Sequence, residues 1–176
     1  MVAPLIARHQ SAPGSGGAPA RRTAPQAGGV WLHGASVGEI ASAQVLIEAL
    51  AAEMPLIVTA NTTTGRAAAA AMGVPALLAP LDTPQALARF LDRHRPRVAV
   101  TVENELWPNR ADALARRGIP QVVVGARLSA RSAARWARVG GLVRRVLSRV
   151  HALSAQDAAS EARLLALGLP AQVRAA

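Results

Sequence analysis

Residues 55–78 read PLIVTANTTTGRAAAAAMGVPALL. Pro55–Thr59 is apolar at consecutive positions, as a strand covered on both faces is. Asn61–Gly65 is a polar loop, and the Ala-rich run to Met72 has the composition of a helix. Gly73 is placed to end that helix as a C-cap, and Val74–Leu78 is again a strand signal. A buried strand, a polar loop, a helix and a second strand in immediate succession is the repeating step of an α/β fold.

The same step recurs on both sides. Gly29–His33 is a short apolar run, followed by a helical stretch from about Val37 to Ala52. Thr83 and Pro84 open a further helix, Thr as N-cap and Pro in the first turn. It should stop before Pro96, because the residue preceding a proline is driven out of the helical region. Arg97–Val102 (RVAVTV) is a strand, and Pro108 starts a helix that ends at Gly118. Gln121–Val124 is a strand with a helix from about Ser129. Val150–Ser154 is a short sixth strand, and a last helix ends near Gly168. The fold class expected is α/β: a doubly wound, Rossmann-like parallel sheet over residues 30–170 with right-handed crossovers.

Composition sets the limits. The chain has 176 residues, 51% hydrophobic and 17% charged, which suits one domain with a real core and leaves little room for two. It is too apolar for a solvated disordered chain. With 2% aromatics, the core must be aliphatic. No cysteine is present, which excludes disulfides, thiolate metal sites and a cysteine nucleophile. Residues 8–29 are rich in Gly, Pro, Ser and Ala and read as a flexible arm. Met1–Ala7 is apolar but broken by Pro4, far short of the ~20 residues of a spanning helix. It also lacks the pattern of a signal peptide. The balance of 20 basic and 10 acidic residues, net +10, is carried by arginine alone. Such a charge suits an anionic partner, although codon usage also produces an excess of Ala and Arg.

In a doubly wound sheet, ligands lie in the crevice outside the carboxyl ends of the strands. The loops after the strands are the unusual ones here: Gly34–Glu39, Asn61–Arg66, Pro80–Pro84, Glu103–Asn109, Gly125–Ser129 and Gln156–Asp157. The opposite loops carry turn residues and surface charge. Polar chemistry is thus concentrated on one rim.

Ser36 and Glu39 fit a capping box, with Glu39 bonding back to the N–H of the cap and held ionised by it. Gly38 in the first turn is not explained by a cap, since it weakens the helix by about 1 kcal/mol against Ala; close approach of a ligand would explain it. Thr62–Thr64 and Gly65 form either a loop with an N-cap or a loose phosphate-cradling turn. Neither a Walker loop nor a dinucleotide fingerprint is present. Glu103 and Glu105, two apart beyond an extended strand, should face one side, either for acid/base work or as partners for the arginines. The histidines His9, His33, His94 and His151 lack metal-ligand spacing. His33 alone sits at the rim, where a supporting or core role is the plainer reading. Arg131, Arg135, Arg138, Arg145 and Arg149 would form a basic stripe on one helix, but Gly140-Gly141 is expected to break it. No aromatic interleaving points to nucleic acid.

These loops resemble a known family. Trp31–Glu39 (WLHGASVGE) looks like the opening motif of the Kdo (3-deoxy-manno-octulosonic acid) transferases of lipopolysaccharide synthesis. Thr62–Gly65 resembles their Thr-Pro-Thr-Gly turn, and Pro80–Pro84 their Pro-Tyr-Asp-x-Pro. Glu103–Asn109 (ENELWPN) is close to Glu-Thr-Glu-Leu-Trp-Pro-Asn. Ala126–Ser132 and Ala155–Asp157 match two further blocks, in the family's order. Thr63, Leu81, Asn104 and Gly125 depart from the pattern.

The resemblance implies the N-terminal half of a GT-B glycosyltransferase, whose own domain binds a lipid A precursor while a C-terminal domain binds CMP-Kdo. Transfer would be inverting, with no cofactor and no metal. Glu39 would be the general base. Ser36, Gly38, Thr62, Thr64, Gly65, Asp82, Glu103, Glu105 and Arg127 would line the acceptor crevice. Residues 171–176 would begin a linker to a donor domain that this chain does not contain, so that a separate donor domain is an expected partner. The family's hydrophobic anchor is not found in the sequence. The expected setting is peripheral, on the anionic cytoplasmic face of a bacterial inner membrane, without nucleic acid. A second reading is a catalytically inactive basic Rossmann-like module that binds anionic membrane or other polyanions, with no role for Glu39.

Overall fold

The computed structural model describes residues 28–103 and 105–173. The remainder of the expected arm, residues 1–27, lies outside them, as does the end of the expected linker, residues 174–176. The strands are β1 (Val30–His33), β2 (Leu56–Ala60), β3 (Ala76–Leu78), β4 (Val98–Val102), β5 (Gln121–Ala126) and β6 (Ala152–Ala155). The helices are α1 (Val37–Ser42), α2 (Gln44–Glu53), α3 (Thr63–Ala71), α4 (Pro84–His94), α5 (Pro108–Arg116), α6 (Ala130–Ala137), α7 (Gly140–Leu147) and α8 (Ala158–Ala166).

The sheet is parallel throughout, in the order β3-β2-β1-β4-β5-β6. Val30 pairs with Leu56 on one side and Val98 on the other, so β1 is central and all four of its residues are buried. The order reverses between β1 and β4, and a crevice must open above that pair because their following chains leave in opposite directions.

Strand alternation divides the core. Val30, Leu32, Leu56, Val58, Val100 and Val102 pack on the face that carries Ile40, Ile47 and Ala69. Trp31, Ile57 and Ala99 pack on the other face with Leu87, Phe90, Leu91 and Leu114 of α4 and α5. A third cluster joins β5 and β6 to Leu147 and Leu164. Val173, in the 3-10 turn Ala171–Val173, packs against that third cluster.

Four differences from the sequence reading have local causes. The helix expected over 37–52 is two helices, broken at Ala43, whose N–H still reaches the Glu39 carbonyl. β3 is shorter than expected, because Pro75 has no N–H for the ladder. β6 lies two residues later than expected at its start, after His151 N has bonded the Gln121 carbonyl. The basic stripe is interrupted as expected, but at Val139, whose ψ of 35° leaves the helical region, and not at Gly140-Gly141, which open α7. Among the described residues no helix is long and apolar enough to cross a membrane.

Candidate active site

The loop after β1 is a tight turn into α1. Ser36 is the N-cap, its Oγ accepting from Glu39 N at 3.3 Å. The Glu39 carboxylate accepts from Ala35 N at 2.6 Å. The box therefore closes one residue earlier than the expected Ser36 N–H. Gly38 is exposed, and a Cβ there would meet only Ser36 Oγ, at 3.8 Å. Protein packing does not require glycine at this position.

The loops after β1, β2 and β4 are joined by hydrogen bonds. Asn61 N donates to the Ala35 carbonyl at 3.0 Å, and Asn61 Nδ2 donates to Glu105 Oε2 at 3.1 Å. Thr62 caps α3, accepting from Gly65 N at 3.0 Å, and its hydroxyl also meets that of Thr64. Gly65 is buried where α3 meets the turn into α1: a Cβ there would come within 2.9 Å of Ala60 Cβ and 3.4 Å of the Ser36 carbonyl carbon. Gly65 is thus a packing requirement that brings the two helix starts together.

Glu103 and Glu105 both lie near enough to Glu39 to act on it electrostatically. Strand alternation does not bring them there. Glu103 has φ +58, so the extended backbone ends before the pair. The turn leaves both acids close enough for their charges to act on Glu39, while the Glu105 carboxylate itself bonds Asn61 and Trp107. Burial, followed by the charges of Glu103 and Glu105, raises the Glu39 pKa, while hydrogen bonds from Ala35 and Ser36 oppose the rise. The expected lowering by the capping bonds is therefore reversed, because desolvation outweighs them.

Glu105 is held the other way. The neighbouring His33 imidazole is the largest influence, and the Trp107 and Asn61 N–H donors add to it against burial, bringing the carboxyl down to about 2. Trp107 Nε1 donates to Glu105 Oε2 at 2.6 Å. His33 is buried, and burial lowers its pKa. Its Nδ1 sits 2.9 Å from Thr59 Oγ1, which also accepts from Trp31 Nε1 at 2.8 Å. Sequence reasoning missed Thr59 because a threonine inside a buried strand gives no sign of the partner it will meet.

Asp82 crosses from the loop after β3 to α5. Its carboxylate accepts from Asn109 N at 3.1 Å and Arg110 N at 2.7 Å, and its carbonyl accepts from Asn109 Nδ2 at 2.8 Å. It caps a helix whose own N-cap, Trp107, makes no side-chain capping bond. Arg127 is exposed just after β5.

Arg110 was not anticipated. It is 7% exposed, with Cζ 5.8 Å from the centre of the Trp31 ring. Burial lowers its pKa to about 10, partly offset by Glu105 and Asp82, so it remains charged at neutral pH. It lines a cavity of ≈ 360 Å³ together with Trp31, His33, Asn61, Asp82 and Trp107. An arginine in the first turn of a helix reads as a surface residue in sequence. Only the packing of α5 on Trp31 turns it inward. Among the described residues no group of three or more His, Asp or Glu is placed to hold a metal ion.

Residues 8–176 match a family model described as 3-deoxy-D-manno-octulosonic-acid transferase (kdotransferase). The chain is 39% identical over 162 residues to the 3-deoxy-D-manno-octulosonic acid transferase of Bordetella pertussis, covering 87% of this chain and 38% of that protein. It is 36% identical over 152 residues to that of Haemophilus influenzae, covering 83% and 36%. The chain thus spans well under half the length of these relatives. Among solved structures it is similar in fold to a UDP-GlcNAc 2-epimerase from Neisseria meningitidis bound to UDP-GlcNAc, with TM-score 0.58 and 14% identity over 82% of this chain and 45% of the other. A UDP-N-acetylglucosamine 2-epimerase from Rickettsia bellii gives TM-score 0.55 and 18% identity, over 85% and 44%. These structures speak for the doubly wound architecture alone, whereas the sequence matches carry more: the chain belongs to the 3-deoxy-D-manno-octulosonic acid transferase family.

Proposed function

We propose that the chain is the acceptor-binding part of a Kdo transferase, with the crevice above β1 and β4 holding the sugar hydroxyl of a lipid A precursor. The observation that carries this reading is Glu39. It stands at the point where the sheet order reverses, fixed by Ala35 N–H and Ser36, with a raised pKa. A carboxylate held still and made more basic suits removal of a proton from a hydroxyl.

In the proposed step the acceptor oxygen bonds to the anomeric carbon of Kdo as its proton passes to Glu39. The bond from that carbon to the CMP phosphate oxygen breaks, and CMP leaves with the electron pair. Attack opposite the leaving group inverts the centre. No cofactor or metal ion enters this reading. The CMP-Kdo donor is assigned to the part of the longer relatives that this chain does not span, whether on one chain or as a separate partner. Net charge +10 supports a peripheral position on an anionic membrane surface, cytoplasmic in this reading.

The test is binding of the purified chain to a lipid A precursor, against a dephosphorylated analogue and an unrelated polyanion. Selective binding that persists in moderate salt is expected. Equal binding to every polyanion, lost as salt rises, would contradict it and leave only the basic module.

A further inference from the structure

β2 is apolar except at Thr59, which is fully buried. Valine has the same shape and needs no partner, so the hydroxyl is explained by what it bonds. It accepts from Trp31 Nε1 at 2.8 Å and stands 2.9 Å from His33 Nδ1. His33 is 2% exposed, and its Nε2 is a buried side-chain atom without a hydrogen-bond partner among the described residues. That atom faces Glu105 Oε2 at 3.7 Å. Leaving a buried polar atom unmet is unfavourable, and this one is kept in front of a carboxylate. Burial and the charge of Arg110 oppose a second proton on His33, so the imidazole carries hydrogen on one nitrogen only. Beyond Glu105 the contacts continue. Its Oε2 accepts from Asn61 Nδ2 at 3.1 Å, Asn61 N donates to the Ala35 carbonyl at 3.0 Å, and Ala35 N donates to the Glu39 carboxylate at 2.6 Å. A chain of polar contacts thus runs from the Trp31 indole to Glu39.

We propose that Thr59 and His33 are positioning residues: buried beneath the crevice, they set the place of the Glu105 carboxylate and, through Asn61, steady the turn that carries Glu39. Each acts through the next, Thr59 by orienting the imidazole and His33 by presenting its Nε2 hydrogen to Glu105. Glu105 then serves as a fixed negative charge beside Glu39. Two acids in one crevice are thereby driven apart in their tasks, one kept ionised and the other made a better proton acceptor. The proposal rests on the reading of Glu39 as a base, and it names the residues that prepare that base from inside the sheet.

The test is nuclear magnetic resonance on the full purified chain, with nitrogen labels in histidine and carbon labels in glutamate. At pH 7 His33 should carry its hydrogen on Nε2. A hydrogen on Nδ1 overturns the proposal, and this reading needs no variant. His33→Phe keeps a ring and removes the donor, so Glu105 should titrate about 1 pH unit higher and Glu39 lower. His33→Gln, whose amide N–H can stand in for Nε2–H, should restore much of both. Thr59→Val should move the two carboxylates in the same directions by less, while Thr59→Ser, which keeps the hydroxyl, should leave them in place. A merely structural role would lower the melting temperature and move neither titration. Unmoved titrations in folded His33→Phe, or the same titrations in Thr59→Val as in Thr59→Ser, overturn the positioning role. Non-selective binding of the lipid A precursor, with the titrations as stated, would overturn the acceptor-site reading and leave the positioning of Glu105 standing.

Discussion

His33 Nε2 lies 3.7 Å from Glu105 Oε2, and Thr59 fixes which face of the imidazole meets the carboxylate. Thr59 Oγ1 accepts from the Trp31 indole, a group that can only donate, and retains its own proton to give to His33 Nδ1. That leaves Nε2 carrying hydrogen toward Glu105, the favourable arrangement; a bare lone pair there would repel the carboxylate. At 3.7 Å the contact is electrostatic, and the hydrogen bonds to Glu105 come from Trp107 and Asn61.

Both members of this pair make the fold sensitive to acid in the same direction. Glu105 is depressed to about 2 in the folded chain. Its contribution, about 3 kcal/mol at most, is present above the unfolded value near 4.5 and is lost as pH falls toward 2. His33 is also depressed, so protonation favours the unfolded chain as pH drops below about 6.5. Denaturant melts at pH 7 and pH 3 should show a steeper loss for the wild type than for Glu105→Gln. Parallel loss in both would contradict this assignment.

The Glu39 carboxyl should titrate above the usual glutamate range when followed by carbon NMR on labelled chain. Glu103→Gln removes a like charge and should move the titration down. A Glu39 titration below the usual range, or one unmoved by Glu103→Gln, would contradict the electrostatics of the site.

Asp82→Ala should destabilise the chain by about 1–3 kcal/mol, since two N–H groups at the start of α5 lose their acceptor. Urea unfolding measures this. The structure places this loop acid as a brace for α5, and Asp82→Asn, which keeps an acceptor oxygen, should be milder.

Gly65→Ala should weaken the fold by about 1–3 kcal/mol, because its methyl would press on Ala60 and on the turn at Ser36. The same substitution at Gly38, where only Ser36 Oγ is near, should leave thermal stability unchanged or raised. A reversed order of the two melting temperatures would contradict the packing described.

The sheet was legible in the sequence because its strands are buried runs punctuated by Pro, Gly and Thr caps. Thr83, Ser129 and Gly73 sit where local chemistry alone would put them. The rim was legible for the same reason, since the ends of β1, β2 and β4 follow from their lengths. What sequence could not supply was tertiary. The direction of the Glu39 pKa depends on burial and on two acids brought from another loop. The turn at Glu103 replaces the alternation that local reasoning assumed. Arg110 and Thr59 acquire meaning only through Trp31, which touches both.

The most direct test of the central claim joins this chain to the C-terminal remainder of the Bordetella pertussis relative and measures Kdo transfer from CMP-Kdo to a lipid A precursor. The wild-type sequence should support transfer, and Glu39→Gln should reduce the rate about 10²- to 10⁴-fold while precursor binding is retained. Transfer by Glu39→Gln at the wild-type rate would contradict the assignment of Glu39 as the base.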